Sequence, residues 1–233
     1  MEEAGKTLMM ATSADYPPYE FVDTSSGTEE IIGFDVDIAK YITEQLGYTL
    51  EITNMDFNGL IPALQAGRAD FVMAGMTPTE ERKQNVDFSD IYYDAKQTLV
   101  FNSENDFTAI EDLKDKVVGV QLGTIQEGLA NDLKDSVGFT VQPLNRINEI
   151  IQELKAGRID GAIIEDTVAK GYLEANPELS FFEIPEDGES GSAIAFPKGS
   201  ELVAEFNPVL QEMTSNGEME KLILKWFGDS GEG

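Results

Sequence analysis

The sequence contains no cysteine and no histidine among its 233 residues. Without cysteine there is no disulfide, no thiol nucleophile and no zinc-thiolate site. Without histidine the commonest general base and the commonest transition-metal ligand are gone, and a Ser-His-Asp or Cys-His mechanism is excluded. Basic residues are scarce too: 16 Lys and Arg stand against 44 Asp and Glu, a formal net charge of −28. Phosphates and anionic lipid surfaces are repelled at long range by such a chain, which disfavours nucleic acid and membrane surfaces as partners. Most of this charge reads as a solvated surface, because steering a cationic ligand needs only a few carboxylates near a cleft. No apolar run approaches the roughly 18 residues of a membrane span. The opening Met1-Glu2-Glu3-Ala4-Gly5-Lys6 has neither a basic start nor an apolar stretch and is no signal peptide. That leaves a cytoplasmic protein, or a chain shown without its targeting segment.

What is present is a chain with 41% hydrophobic residues, enough for a substantial core. Strand and helix patterns alternate almost throughout. Lys6–Thr12 reads as a strand, ended by the turn Tyr16-Pro17-Pro18-Tyr19. Phe34, Ile38, Ile42 and Leu46 recur at helical spacing, with Gly47 as a stop. Tyr48–Thr53 is β-rich, Leu60–Ala66 is a short helix, and Asp70–Ala74 is a buried strand. Further on come a strand at Val117–Gln121, helices near Gln126–Leu133 and Ile147–Ala156, a strand at Gly161–Ile164 and a helix at Thr167–Glu174. Two helices, near Glu201–Thr214 and Glu218–Trp226, close the chain. Strands separated by helices predict an α/β protein with parallel sheets.

One internal echo stands out. Leu64-Gln65-Ala66-Gly67-Arg68-Ala69-Asp70 resembles Leu154-Lys155-Ala156-Gly157-Arg158-Ile159-Asp160. Each is a helix that stops at Gly and passes through Arg-x-Asp into an apolar strand. A generic helix-to-strand connection would look the same. The alternative is two similar lobes, and each copy leads into a segment with site-like chemistry.

The first such segment is Ala74-Gly75-Met76-Thr77-Pro78-Thr79-Glu80-Glu81-Arg82. Thr77 and Glu80 have capping-box spacing with Pro78 at the first helical position, which predicts Thr77 as the cap. Arg82 near that helix start is either a solvated surface residue or a grip for an anion. In the second segment, Gln121-Leu122-Gly123-Thr124-Ile125-Gln126, a strand runs through Gly-Thr into a helix, whose backbone N–H groups suit one carboxylate. No phosphate fingerprint is present. The third, Ile164-Glu165-Asp166-Thr167, ends a buried strand in two acids: Asp166 is a helix cap, or an acceptor for an ammonium at the carboxyl edge of a sheet. The fourth, Thr12-Ser13-Ala14-Asp15-Tyr16-Pro17-Pro18-Tyr19-Glu20-Phe21, sets aromatics beside a proline turn, as a cleft wall or as a core edge.

Together these segments resemble the polar amino-acid class of extracellular solute-binding proteins, which feed ABC importers. The resemblance runs from about Lys6 to Gly228. Its pieces are residues 12–20, Gly33-Phe34-Asp35-Val36-Asp37, Gly75-Met76-Thr77 with Glu81-Arg82, Val86-Asp87-Phe88-Ser89, Gly119-Val120-Gln121 and Lys225-Trp226-Phe227. Within the class, residues 121–127, Ile164-Glu165-Asp166 and 191–196 look closest to Gram-positive arginine-binding lipoproteins. The resemblance implies a two-lobed periplasmic-binding-protein-like fold, each lobe a sheet flanked by helices, joined by a two-strand hinge. Lobe 1 is expected at 5–96 and 195–228, lobe 2 at 97–194. It also implies that Arg82 grips the ligand α-carboxylate with the backbone at Thr77 and Thr124. Asp166 takes the α-ammonium with the Gly75 carbonyl and the Thr77 hydroxyl, and Tyr16 and Phe57 flank the ligand side chain. Ala74, Met76, Gln121, Gly123, Ile125 and Gln126 complete the expected ligand contacts. Mature members carry a lipid anchor on a cysteine that would lie upstream of this chain, at the extracellular face or in the periplasm.

One departure from the class bears on the ligand. Several basic-amino-acid binders have an acid where this chain has Ser13, which leaves Asp15, Glu20 and Glu165 as candidates for the side-chain charge. Arginine is the expected ligand, then lysine or histidine, with glutamine or another neutral polar amino acid as the alternative. The expected partners are the membrane subunits of an ABC importer, and the expected state is a monomer without cofactor or metal. A dehydratase of the same fold and a sensor module cut from a larger receptor are the rival functions.

Overall fold

In each half of the chain one strand–helix–strand pattern repeats, and the structure, a computed structural model describing residues 6–185 and 190–228, shows what the repeat builds. The opening segment 1–5 and part of the expected second lobe therefore lie outside the described residues. The described chain divides into two compact units, residues 6–94 with 190–228 and residues 95–185.

The first unit begins with β1 (Thr7–Thr12), a small three-stranded sheet of β2 (Asp15–Tyr16), β3 (Glu20–Asp23) and β4 (Glu30–Ile32), and helix α1 (Phe34–Gln45). It continues with β5 (Thr49–Asn54), α2 (Leu60–Gln65), β6 (Phe71–Val72), the short α3 (Glu80–Lys83) and β7 (Val86–Tyr93). The second unit holds β8 (Gln97–Asn102), β9 (Val117–Gln121), α4 (Ile125–Val137) and β10 (Thr140–Leu144). After these come α5 (Ile147–Lys155), β11 (Gly161–Glu165), α6 (Asp166–Ala175) and β12 (Leu179–Glu183). The chain then returns to the first unit through β13 (Ser192–Pro197), α7 (Leu202–Ser215) and α8 (Glu218–Phe227). The lobe border expected at 194/195 falls inside β13, which pairs along its length with β7 in the first unit.

The two main sheets have one topology. In the first the order is β5-β1-β6-β13-β7, with β1 parallel to β5 and β6, and β13 antiparallel to its neighbours. In the second it is β10-β9-β11-β8-β12, with β9 parallel to β10 and β11, and β8 antiparallel to its neighbours. The echoed sequence explains part of this likeness. Gly67 (φ 67°) and Gly157 (φ 66°) each end a helix in the left-handed conformation. The Asp that follows then closes onto the first strand of its sheet. The Asp70 carboxylate accepts the Met9 N–H at 2.7 Å, and the Asp160 carboxylate accepts the Val117 N–H at 2.8 Å. The same two carboxylates' backbone N–H groups donate to Met9 and Val117.

Helices cover the sheets with their apolar faces. In the first unit Leu60 and Leu64 of α2 pack with Ala11, Val72 and Ala195. Phe206 of α7 sits 5.1 Å from the ring of Phe71 and 5.2 Å from that of Phe196, all three fully buried. Truncating such a ring costs about 3–5 kcal/mol. In the second unit Leu99, Val118, Val120 and Ile163 form the sheet's contribution to a core completed by Leu113 and Ala130. The last helix is tied to α1: the Lys225 ammonium and the Trp226 indole N–H both donate to Asp37, at 2.7 and 2.8 Å. Phe227 stacks on Tyr93 at 4.4 Å and packs edge-on against Phe34. Among the described residues no helix is long and apolar enough to cross a membrane.

Candidate functional site

In the first unit the sequence-predicted residues gather at the ends of β1 and β6. The turn after β1 brings Ser13, Asp15 and Tyr16 together. The buried Ser13 hydroxyl donates to the Asp15 carboxylate at 3.2 Å, and Asp15 itself is 8% exposed. Tyr16 stacks on Tyr19 at 5.6 Å. Its ring also lies against Gly75, where a Cβ would come within 3.0 Å of it; with φ at 53°, Gly75 is restricted to glycine on both counts. Gly33 is equally constrained, since a Cβ there would lie 2.1 Å from the Tyr19 carbonyl. That close approach lets the first N–H groups of α1, from Phe34 and Asp35, donate to the Pro18 and Tyr19 carbonyls.

Beyond β6 the chain runs through Ala74, Gly75, Met76 and Thr77, all but Gly75 buried. The Met76 carbonyl accepts from the Ala193 N–H on β13. The capping residue of α3 is Thr79, not Thr77. The Thr79 hydroxyl accepts the Arg82 N–H at 3.2 Å, and Pro78 stays outside the helix. Two residues with hydroxyls compete for one cap, and the chain turns only after Thr79, whose N–H is held by the Thr77 carbonyl. Thr77 is thereby left to serve Arg82 in another way. Its carbonyl accepts from the guanidinium at 2.8 Å, while the guanidinium carbon lies 5.4 Å from the centroid of the Phe57 ring. Phe57 itself leans on the core beneath α2. A guanidinium held by a carbonyl and an aromatic face is fixed in direction as well as place.

In the second unit the predicted residues occupy the ends of β9 and β11. Thr124 caps α4 through its hydroxyl, which accepts the Glu127 N–H at 3.2 Å and donates to the Gln121 carbonyl at 2.6 Å. One donor expected for an anion is already engaged: the Gly123 N–H donates to the Glu127 carboxylate at 2.7 Å. Glu127, in the first turn of α4, reaches back to the residue before the cap. Gln126 is buried and donates to Gln97 at 2.7 Å, and Gln121 donates to the Asn145 carbonyl at 3.1 Å. Ile125 begins α4 half-buried.

Asp166 is not a cap. Glu165 stands at the cap position of α6 without a side-chain cap bond, and Asp166 is the first helical residue. The Asp166 carboxylate instead accepts from the Lys96 N–H at 3.0 Å and from the Lys170 ammonium at 2.9 Å. A carboxylate has about four lone-pair sites, so two partners leave it capacity for more. Glu165 is 6% exposed and accepts from the Thr167 hydroxyl at 2.7 Å.

One group near the first cluster, Asp35, had no role among the expectations from the sequence. Asp35 lies in the quoted 33–37 motif but is fully buried, and its carboxylate accepts from Gly75 and from Tyr92. Burial pushes its carboxyl up to about 6, against the pull of the Gly75 N–H and the Tyr92 hydroxyl. Glu20, also fully buried, interacts with it from β3. Among the described residues no group of three or more acids is placed to hold a metal ion.

Comparison with known proteins finds relatives over nearly the whole chain. Residues 8–229 match the family described as bacterial extracellular solute-binding proteins, family 3. The chain is 49% identical, over 97% of its length and 88% of the relative's, to the arginine-binding extracellular protein ArtP of Bacillus subtilis (strain 168). A crystal structure of the substrate binding protein of an amino acid ABC transporter superposes with a TM-score of 0.89 at 44% identity, over 95% of this chain and 99% of that one. An ancestral arginine-binding protein bound to arginine superposes with a TM-score of 0.90 at 42% identity, over 97% of this chain and 100% of that one.

Proposed function

The chain belongs to the bacterial extracellular solute-binding proteins, family 3, and from that premise we propose that it captures free L-arginine and hands it to the membrane subunits of an ABC importer. The observation that carries this is Arg82, a cation anchored by the Thr77 carbonyl and the Phe57 face beside a buried loop. Such a group suits the α-carboxylate of a zwitterion, and the backbone at Thr77 and Thr124 supplements it. Asp166 in the second unit and the Gly75 carbonyl in the first take the α-ammonium.

The ligand's cationic end goes to Asp15. Of the acids that could serve, Glu20 is fully buried, and Glu165 and Asp15 each accept one hydroxyl hydrogen bond, from Thr167 and Ser13. Asp15 sits beside Tyr16 with Ser13 donating to it. Tyr16 supplies an aromatic face, on which a planar guanidinium gains more than a compact ammonium. Arg82 and Asp166 are used in gripping the ligand, so the protein binds without turning it over, as a monomer without cofactor or metal, anchored by lipid outside the cell. Competition calorimetry tests the assignment: arginine should bind most tightly, then lysine or histidine, then glutamine. Tighter binding of glutamine than of arginine overturns the side-chain assignment.

A further inference from the structure

We propose that Asp35 is a positioning residue for amino-acid binding: its buried carboxylate fixes the Gly75 peptide and, through it, the segment that steers Arg82. The inference rests on the assignment of Gly75, Thr77 and Arg82 as ligand contacts.

Asp35 is 0% exposed at the start of α1. One carboxylate oxygen accepts the Gly75 N–H at 2.8 Å and the other accepts the Tyr92 hydroxyl at 2.8 Å. Its own N–H donates to the Tyr19 carbonyl at 3.0 Å. One residue therefore joins α1, the turn before β3, the loop after β6 and β7. None of these links would need a carboxylate if the purpose were packing, since burying one unpaired costs several kcal/mol.

Along the loop the anchors fall on consecutive residues. Asp35 holds the Gly75 N–H, the Ala193 N–H holds the Met76 carbonyl, and the Thr77 carbonyl holds the Arg82 guanidinium. Gly75 has φ at 53° and no side chain to lock its backbone, so its direction depends on what its N–H is given to. A peptide rotated there swings the Gly75 carbonyl and displaces Thr77, and with it the cation. An alanine in place of Asp35 leaves the Gly75 N–H without its acceptor, whereas an asparagine can keep its oxygen toward Gly75 and donate its amide to the Tyr92 oxygen.

The test titrates L-arginine by calorimetry into the unmodified protein and the variants Asp35→Ala, Tyr92→Phe and Arg82→Ala, and follows the Gly75 amide by NMR. Asp35→Ala should weaken arginine binding about tenfold, with a cooperative urea transition retained. Its Gly75 amide proton should move upfield and exchange faster. Tyr92→Phe keeps the Gly75 bond and should stay within about threefold of the unmodified affinity. Near-normal affinity in folded Asp35→Ala overturns the positioning role, and so does an equal loss in Tyr92→Phe. Near-normal affinity in Arg82→Ala instead overturns the site assignment on which the inference rests. Should Asp35→Ala fail to fold, the unmodified protein decides. A downfield, slowly exchanging Gly75 amide that shifts on arginine binding supports the role, and one unmoved by arginine overturns it.

Discussion

The guanidinium of Arg82 lies 5.4 Å over the ring of Phe57, so the aromatic residue expected to flank a ligand side chain serves the arginine expected to grip the ligand backbone. A cation over an aromatic face gains about 0.5–1 kcal/mol at an accessible site. Phe57→Ala should therefore weaken binding of every amino acid ligand by a similar factor of about two to five, with little change in their order. Calorimetry with arginine and lysine separates the outcomes: a loss confined to arginine would place Phe57 against the ligand side chain instead.

Arg82→Ala removes one partner of the proposed carboxylate contact. Leaving the other charge unpaired costs about 2–5 kcal/mol, which weakens binding at least tens-fold. Arg82→Lys should recover little of it, because an ammonium lacks the planar fork that meets Thr77 and a carboxylate together. Thermal melts should show both variants folded, since Arg82 is only half-buried.

Asp35 makes the stability of the first unit depend on pH. Its carboxyl is raised from 3.8 to about 6, chiefly by burial. The folded protein therefore holds more protons than the unfolded chain between those values. Stability from this group is full below pH 4 and is lost as the pH rises through about 6. Urea titrations of the unmodified protein and Asp35→Asn should show their difference in stability changing by on the order of 3 kcal/mol from pH 3 to pH 7. The asparagine variant should gain relative ground at the higher pH. A difference independent of pH would place Asp35 in an ordinary ionised state.

Asp70 and Asp160 do the same work in two sheets. Each accepts an N–H of the central parallel strand of its sheet, at 2.7 and 2.8 Å. Asp70→Ala and Asp160→Ala should each cost about 1.5–3 kcal/mol of stability by urea denaturation, as hydrogen bonds to charged groups do. Arginine affinity in the folded variants should stay near normal, because neither carboxylate belongs to the candidate site.

The sequence by itself determined the α/β class and several of its helices and parallel strands. Helical spacing from Phe34 to Leu46 and the Gly stops after α2 and α5 are local signals, and they predict α1, α2 and α5 to within a residue or so at each end. The absence of cysteine and histidine removes whole classes of mechanism before any fold is known. The strands β7, β8 and β13 were not legible as partners, because antiparallel pairing across residues far apart in sequence leaves no periodic trace. Only the tertiary structure decided which hydroxyl caps α3, since Thr77 and Thr79 offer the same chemistry and the difference lies in where the chain turns. It also decided what becomes of each charge. Asp35, Asp37 and Asp166 are alike on paper. One is buried to hold Gly75, one joins α1 to α8, and one binds Lys96 and Lys170 at the end of β11. A carboxylate's role is set by the donors that folding brings within about 3 Å of it, and those donors come from distant parts of the chain.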